Sequence, residues 1–379
     1  MFSFFVKRTF GWLLRIVFIV NFIFGIGLLL SYASAYISPA KYTWLAFFGL
    51  AYPVFLSVNI IFLLFWFFLR SKYLFFSLLC IAAGYKFLAV YIPIKLSEKN
   101  VAFDNAHKLL SYNVRLFDLY NWTGNKHTRN KIFNFLKKEK ASIICFQEFY
   151  LRKADNYFNT LDTLLQFLPN KHYAEAYTHV LNIGKQSFGL ATFSVYPIIN
   201  HFEIIFGQEE TNNALATDIK INDDTIRVIN VHLASIRFQK ADYDFIGDAT
   251  SASQWYNHKF SEQKIIERLN SGFIKRAEQI EILVKYINKS PYPVIVCGDF
   301  NDTPVSYCYQ TISKKLTDAF VNCGSGIGKT YVGKIPLLRI DYIFHSNHIE
   351  SLKFTRHPEE YSDHHPISFW FKINKGHYY

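Results

Sequence analysis

Hydrophobic positions along this chain follow two patterns that meet near residue 100. Residues 16–40 and 42–69 hold no charged side chain, and residues 73–94 hold only Lys86. Because about 20 apolar residues of helix cross a bilayer core, the pattern predicts three transmembrane helices within residues 1–100. Core helices of soluble proteins are rarely apolar all round over such lengths. The competing reading is a cleaved signal peptide, since Lys7, Arg8 and Arg15 precede an apolar stretch ending in Ala33-Ser34-Ala35. Two further apolar stretches follow at once, which favours retention as an anchor.

Beyond Asn105, short apolar runs alternate with polar or amphipathic stretches, without a repeat or a low-complexity linker. The runs HKLLSYNVR, SIICFQE, SFGLATFS, ALATDIKI, TIRVINVHL, PVIVCGDF, RIDYIFHS and HPISFWFKI read as strands. Residues 127–140 and 273–288 read as helices, the second with Ile274, Ala277, Ile280, Val284 and Ile287 along one stripe. An α/β sandwich follows: two mixed sheets face each other with helices outside, all within one domain spanning residues 101–379. Residues 234–272 are too long for an ordinary connection. Their aromatic and basic side chains mark them either as packing over the sandwich edge or as a lid facing substrate or membrane.

Charge sharpens the division. The formal net charge is +12, but residues 1–100 carry nine Lys/Arg against one acid, Glu98, whereas the remainder carries 32 bases and 28 acids. The basic character therefore belongs mostly to the anchor and implies no DNA-coating surface on the domain. Lys7, Arg8, Arg15, Arg70 and Lys72 flank one side of the three spans, and Lys41, Lys86, Lys95 and Lys99 the other. The first helix weighs most, so its three N-terminal bases place the N-terminus in the cytoplasm. The expectation is a multi-pass protein of the inner (cytoplasmic) membrane with its large domain on the extracytoplasmic side. Five scattered cysteines form neither a metal module nor a disulfide framework. Cys145 and Cys297 read as buried small hydrophobes, and Cys308 with Cys323 remains open as a pair.

Six short stretches place polar groups at the ends of apolar runs. They are Asn113 in SYNVR, Gln147-Glu148 in CFQEF, His232 in NVHLAS, Asp299 and Asn301 in CGDFNDTP, Asp341 in RIDYIF, and Asp363-His364 in YSDHHPI. Singly, each is an ordinary cap or turn former; six together are hard to ascribe to turns. Glu148 with Asn113, Asp299 and Asp341 offers hard oxygen ligands suited to Mg2+ or Mn2+. His232 and His364 are candidate donors to phosphoryl oxygens, and Asp363 a candidate to orient a histidine. Strand-like spacing would set Asp299 and Asn301 on one face, where they would position an attacking water.

In order and wording these motifs resemble the endonuclease/exonuclease/phosphatase superfamily, from about Asn105 to the C-terminus; GDFN, then IDYIF, then SDHHP is the specific series. The resemblance implies a four-layered sandwich with the site at one edge of the paired sheets. By motif, Asn113, Glu148 and Asp363 are similar to metal-site residues, and Asp299 to the carboxylate that handles water. His232 and Asn301 match phosphate-binding positions, Asp341 a site carboxylate, and Asp363-His364 the family's Asp-His pair, which leaves His365 in a variable position. The implied activity is a membrane-anchored, divalent-metal-dependent phosphoester hydrolase, most simply a phosphodiesterase acting on nucleic acid or a phospholipid head group. The alternatives are a phosphomonoesterase of the same superfamily and an inactive membrane-tethered binding module. No feature calls for an obligate protein partner.

Overall fold

The computed structural model describes residues 2–95, 103–153, 158–181, 185–207, 212–236, 255–333 and 335–374. Helix α1 (Phe2–Ser34) opens the chain, and its stretch Gly11–Ser34 is long and apolar enough to cross a membrane. The other two expected spans are each broken. Helices α2 (Thr43–Leu50) and α3 (Tyr52–Phe68) meet at 56°, and α4 (Leu74–Ala83) and α5 (Tyr85–Tyr91) at 67°. Three spans therefore result only if each bent pair is taken as one. Pro53 in the first turn of α3 accounts for the first break, since proline lacks the N–H that would bond back into α2. Polar contacts tie the bundle together: Trp66 Nε1 donates to Asn21 Oδ1 at 2.9 Å and Asn59 Nδ2 to the Phe24 carbonyl at 3.0 Å.

Twelve strands follow among the described residues: β1 (His107–Asn113), β2 (Ile143–Arg152), β3 (His172–Leu181), β4 (Gln186–Ser194), β5 (Ile198–Ile205), β6 (Asn213–Ile221), β7 (Asp224–His232), β8 (Val294–Asp299), β9 (Thr317–Asp318), β10 (Asp341–His345), β11 (Ile349–Arg356) and β12 (Ile367–Ile373). They form two six-stranded sheets, ordered β11-β12-β1-β2-β4-β3 and β5-β6-β7-β8-β10-β9. Each sheet is mixed: β1–β2 and β7–β8 are the parallel pairs, and their other neighbours run antiparallel. Ile143, Cys145, Val228, Ile295, Cys297 and Phe369 lie in the core between the sheets. Helices α6 (Thr128–Glu139) and α7 (Thr160–Phe167) cover the first sheet; α8 (Trp255–Asn288) and α9 (Tyr307–Ser313) cover the second, and the short α10 (Ala319–Cys323) adjoins β10 and β11. This is the expected α/β sandwich of two mixed sheets with flanking helices.

Helix α8 corrects the expected long connection over 234–272. Residues 255–272 are helical and continuous with the expected helix, because Ile265, Leu269 and Phe273 extend its apolar stripe backwards at intervals of four. Residues 237–254 of that segment lie outside the described residues. All five cysteines are free, Cys308 and Cys323 included. Burial raises the Cys297 thiol well above its ordinary range, which keeps it a neutral core group.

The helical N-terminal region packs directly on the sandwich. Val305 is buried among Leu28, Tyr32, Ala35, Tyr52 and Leu56. Arg339, itself ion-paired with Asp318 at 2.6 Å, donates to the Val90 carbonyl at 3.0 Å, and Tyr91 Oη donates to the Leu337 carbonyl at 3.0 Å. Ala46, Phe47 and Leu50 at α2 meet Ile265, Leu269 and Phe273 of α8.

Candidate active site

Register alone assembles half of the site. In the second sheet His232 pairs with Asp299, and Asp299 with Asp341, so three neighbouring strands end in titratable residues on one rung. Neighbours across a ladder point to the same face, which brings the three side chains together. Gly298 makes this rung possible. Its φ is +138°, and a Cβ there would lie 2.0 Å from the Val231 carbonyl oxygen, so only glycine lets β8 approach β7 at this point.

The first sheet supplies the opposite wall. Asn113 ends β1, in register with Gln147 on β2. A bulge between Phe146 and Phe149 then turns Glu148 out of the regular alternation, with φ at +50°. Residues 115–118 also have positive φ, as does Asn301 at +52°. Left-handed conformations of non-glycine residues cost free energy, and several here ring one pocket.

At the centre Asp299 is 1% exposed. Asn113 Nδ2 donates to Asp299 Oδ2 at 3.1 Å and reaches Glu148 Oε1 at 3.3 Å, bracing two carboxylates across the gap between the sheets. The Asn113 oxygen is engaged by the Arg115 backbone N–H at 3.1 Å, so in this arrangement Asn113 braces carboxylates and offers its oxygen elsewhere. His232 Nε2 lies 3.7 Å from Asp299 Oδ2 and 3.9 Å from Glu148 Oε1. His364 lies with Nδ1 at 2.9 Å from Asp341 Oδ2 and Nε2 at 3.6 Å from Asp299 Oδ2. Tyr331 packs its ring edgewise on His364, and Thr330 Oγ1 accepts the Ile340 and Asp341 amides.

Two expectations are corrected here. The carboxylate on His364 is Asp341; Asp363, in the bend that leads into His364, instead faces Arg115 Nε at 3.3 Å. Asn301 does not continue the strand after Asp299. Its backbone N–H caps Asp299 Oδ1 at 2.8 Å while its side chain donates to the Leu233 carbonyl at 3.0 Å, so a tight turn and not strand alternation keeps it at the pocket wall. His365 lies apart, with its N–H on the Thr330 carbonyl and Nδ1 beside the Glu359 carbonyl.

Several contributors escaped the sequence reading. Arg115 lies over the Trp122 ring at 4.5 Å, and Ser362 Oγ donates to the Asn113 carbonyl at 2.8 Å. Behind the pocket, Gln147, already singled out beside Glu148 in the sequence, donates from Nε2 to Asn230 Oδ1 at 2.6 Å, a fully buried amide pair linking the sheets. Asn230 was detectable as a polar residue two positions before His232 in an otherwise apolar strand; Thr330 gave no signal.

Electrostatics follow from this crowding. Burial, then the charge of Asp341, pushes Asp299 up to about 6 against the pull of His364 and His232. Glu148 is raised by burial and by Asp363. For His364, burial opposes the charged form, yet the carboxylates of Asp341 and Asp299 outweigh it and hold the pKa well above 6.5. Asp299, Asp341 and His364 each present a potential ligand atom within 4.8 Å of the others, but while His364 keeps its proton its nitrogens donate, which leaves a cation to carboxylate oxygens. Crowded carboxylates with raised affinity for protons suit a hard divalent cation, which would relieve their repulsion.

Comparisons with known proteins bear on the family and the fold. Residues 110–364 match the endonuclease/exonuclease/phosphatase family, and residues 14–91 match a domain of unknown function. No curated protein matches. Among solved structures, an endonuclease/exonuclease/phosphatase from Beutenbergia cavernae shares 15% identity with a TM-score of 0.52, covering 71% of this chain and 72% of that one. The endonuclease/exonuclease/phosphatase of Bacteroides vulgatus shares 17% identity with a TM-score of 0.51, covering 71% of this chain and 99% of that one. At such identities the likeness is one of fold.

Proposed function

Because the chain belongs to the endonuclease/exonuclease/phosphatase family, we propose that it is a membrane-anchored, divalent-metal-dependent phosphoester hydrolase acting on phosphodiesters. The observation that carries this reading is the rung of His232, Asp299 and Asp341, closed by His364 between the two aspartates.

In this reading Asp299 takes a proton from the attacking water. Its pKa of about 6 keeps it ionised at neutral pH yet basic enough to accept. Water oxygen then bonds to phosphorus as the opposite ester bond breaks. His364, kept protonated by Asp341, and His232 donate hydrogen bonds to the phosphoryl oxygens as charge builds on them. Asn301 fixes the Asp299 carboxylate through its backbone N–H, and Asn113 holds Glu148 and Asp299 in register. Glu148 is the residue that would hold Mg2+ or Mn2+, with Asn113 and Asp363 alongside. A cation bound there supplies Lewis-acid neutralisation of phosphoryl charge.

We divide the chain into an anchor over residues 1–100 and a catalytic domain over residues 101–379, a division supported by the two separate family matches. The basic flank of the first span supports a multi-pass anchor in the cytoplasmic membrane with the domain outside. The test is a paired assay of the full chain on bis(p-nitrophenyl) phosphate and p-nitrophenyl phosphate with added Mg2+ or Mn2+. Faster turnover of the diester is the expected result. Preference for the monoester would transfer the site to a phosphomonoesterase, and no turnover of either would reject hydrolysis.

A further inference from the structure

The catalytic pocket does not open only to solvent. It is one end of a cleft of about 850 Å³, the upper part of the range of about 300–1,000 Å³ found for small-molecule sites. At the polar end stand Glu148, His232, Asp299 and His364. The far wall is the break between the second and third N-terminal helices, with Leu50, Pro53, Val54, Ser57 and Val58. Ile265, Leu269 and Phe273 of α8 form one side, and the segment from Ile335 to Leu338 the other.

This composition is unlike that of a nucleic-acid groove. Between the carboxylates and the helices the walls are aliphatic and aromatic; among the described residues, the arginines lining the cleft are engaged, Arg115 by Asp363 and Arg276 by Asp302. A polyanionic strand would need a run of free cations along its path. The helical wall is also turned outward: Val54 is 58% exposed, and further along the same helix Ile61, Leu64, Phe67 and Phe68 are exposed, the surface expected of a helix facing lipid. A phosphoester head at the aspartates and a hydrocarbon tail between α3 and α8 would each meet matching chemistry within one continuous cavity.

We propose that the substrate is a membrane lipid carrying a phosphoester head group, which enters sideways from the bilayer at the α2–α3 break and lays its hydrocarbon chain in this cleft. The proposal rests on the phosphoesterase reading above and adds the substrate class. A tail arriving from the bilayer leaves one apolar medium for another, so the cleft holds it through packing contacts rather than expulsion of water, and longer tails make more of those contacts.

The test uses the full chain in phosphatidylcholine vesicles and a dodecyl phosphonate bearing a terminal diazirine, which the enzyme cannot hydrolyse. After photolysis, label is expected in the peptides containing residues 50–58 and 265–273, suppressed by excess dodecyl phosphate and not by butyl phosphate. Ser57→Trp, which fills the cleft, should lower that labelling by at least ~10-fold, about 1.4 kcal/mol of lost packing. Val54→Trp serves as an independent variant, and unfolding curves establish that each is folded. Bilayer partition of the probe is common to all the proteins, so the difference between them reads the cleft. Label spread over the lipid-facing helices and unchanged in both variants would overturn the proposal, as would displacement of the probe by an oligonucleotide but not by dodecyl phosphate. Turnover of bis(p-nitrophenyl) phosphate in the same vesicles is scored separately. Its absence would reject the hydrolase reading, while the labelling pattern still decides whether the cleft takes a lipid.

Discussion

His364 Nδ1 lies 2.9 Å from the Asp341 carboxylate, although 23 residues separate the two in sequence, while Asp363, its immediate neighbour, is engaged by Arg115. The carboxylate that sets the histidine's charge is therefore the distant one. Asp341→Asn is expected to lower the His364 pKa and to cut hydrolysis by at least ~100-fold, the scale of a lost catalytic donor. Asp363→Asn should lower that pKa less, because its charge acts on His364 behind those of Asp341 and Asp299. Histidine NMR titration of both variants separates these outcomes, and a larger shift in Asp363→Asn would reassign the pair.

Asp299 gives a prediction about stability. Its pKa in the folded protein, about 6, lies above the 3.8 of an ordinary aspartate. The folded state thus binds this proton more tightly, and the associated stability, complete below 3.8, is lost as pH rises through about 6. Asp299→Asn removes that loss. The metal-free variant should melt several degrees higher than the parent at pH 8 and nearly level with it below pH 4, while losing activity. Calorimetry at the two pH values checks it; a lower melting temperature at pH 8 would contradict the assignment.

The fold was legible because its signals are local and periodic. Strand runs, the two helices and the ends of the apolar stretches all lie in windows of a few residues. The site was legible as a residue set for the same reason: His232 and Asp299 close their strands and Asp341 opens its own. Its pairings were not. Whether Asp341 or Asp363 meets His364 depends on strand register and side-chain direction across two sheets, and the turn at Asn301 depends on a left-handed φ that spacing cannot reveal. The broken helices were hidden as well, since Pro53 and Gly84 sit inside stretches whose hydropathy is continuous.

Gly298 ties fold to site. Gly298→Ala would place a methyl 2.0 Å from the Val231 carbonyl oxygen at a φ of +138°. Parting β7 from β8 would dissolve the rung, so the expected cost is about 2–4 kcal/mol with matching loss of activity. Denaturant unfolding measures this, and a loss below about 0.5 kcal/mol would show that the strands adjust freely.

Topology is tested by surface proteolysis. On the proposed topology, with the N-terminus in the cytoplasm and three crossings, protease added to spheroplasts should cut the domain beyond residue 100. A domain left whole while a known external protein is digested would place it inside.

The central claim is that Glu148, His232, Asp299, Asp341 and His364 form one metal-dependent phosphodiester-cleaving centre. Its most direct measurement is the rate of bis(p-nitrophenyl) phosphate hydrolysis by the full chain, stripped with chelator and then restored with Mg2+ or Mn2+, beside Asp299→Asn treated identically. The predicted result is turnover that vanishes on stripping, returns with the ion, and stays at least ~100-fold lower in the variant. Equal rates in the two proteins, or turnover indifferent to the ion, would contradict it.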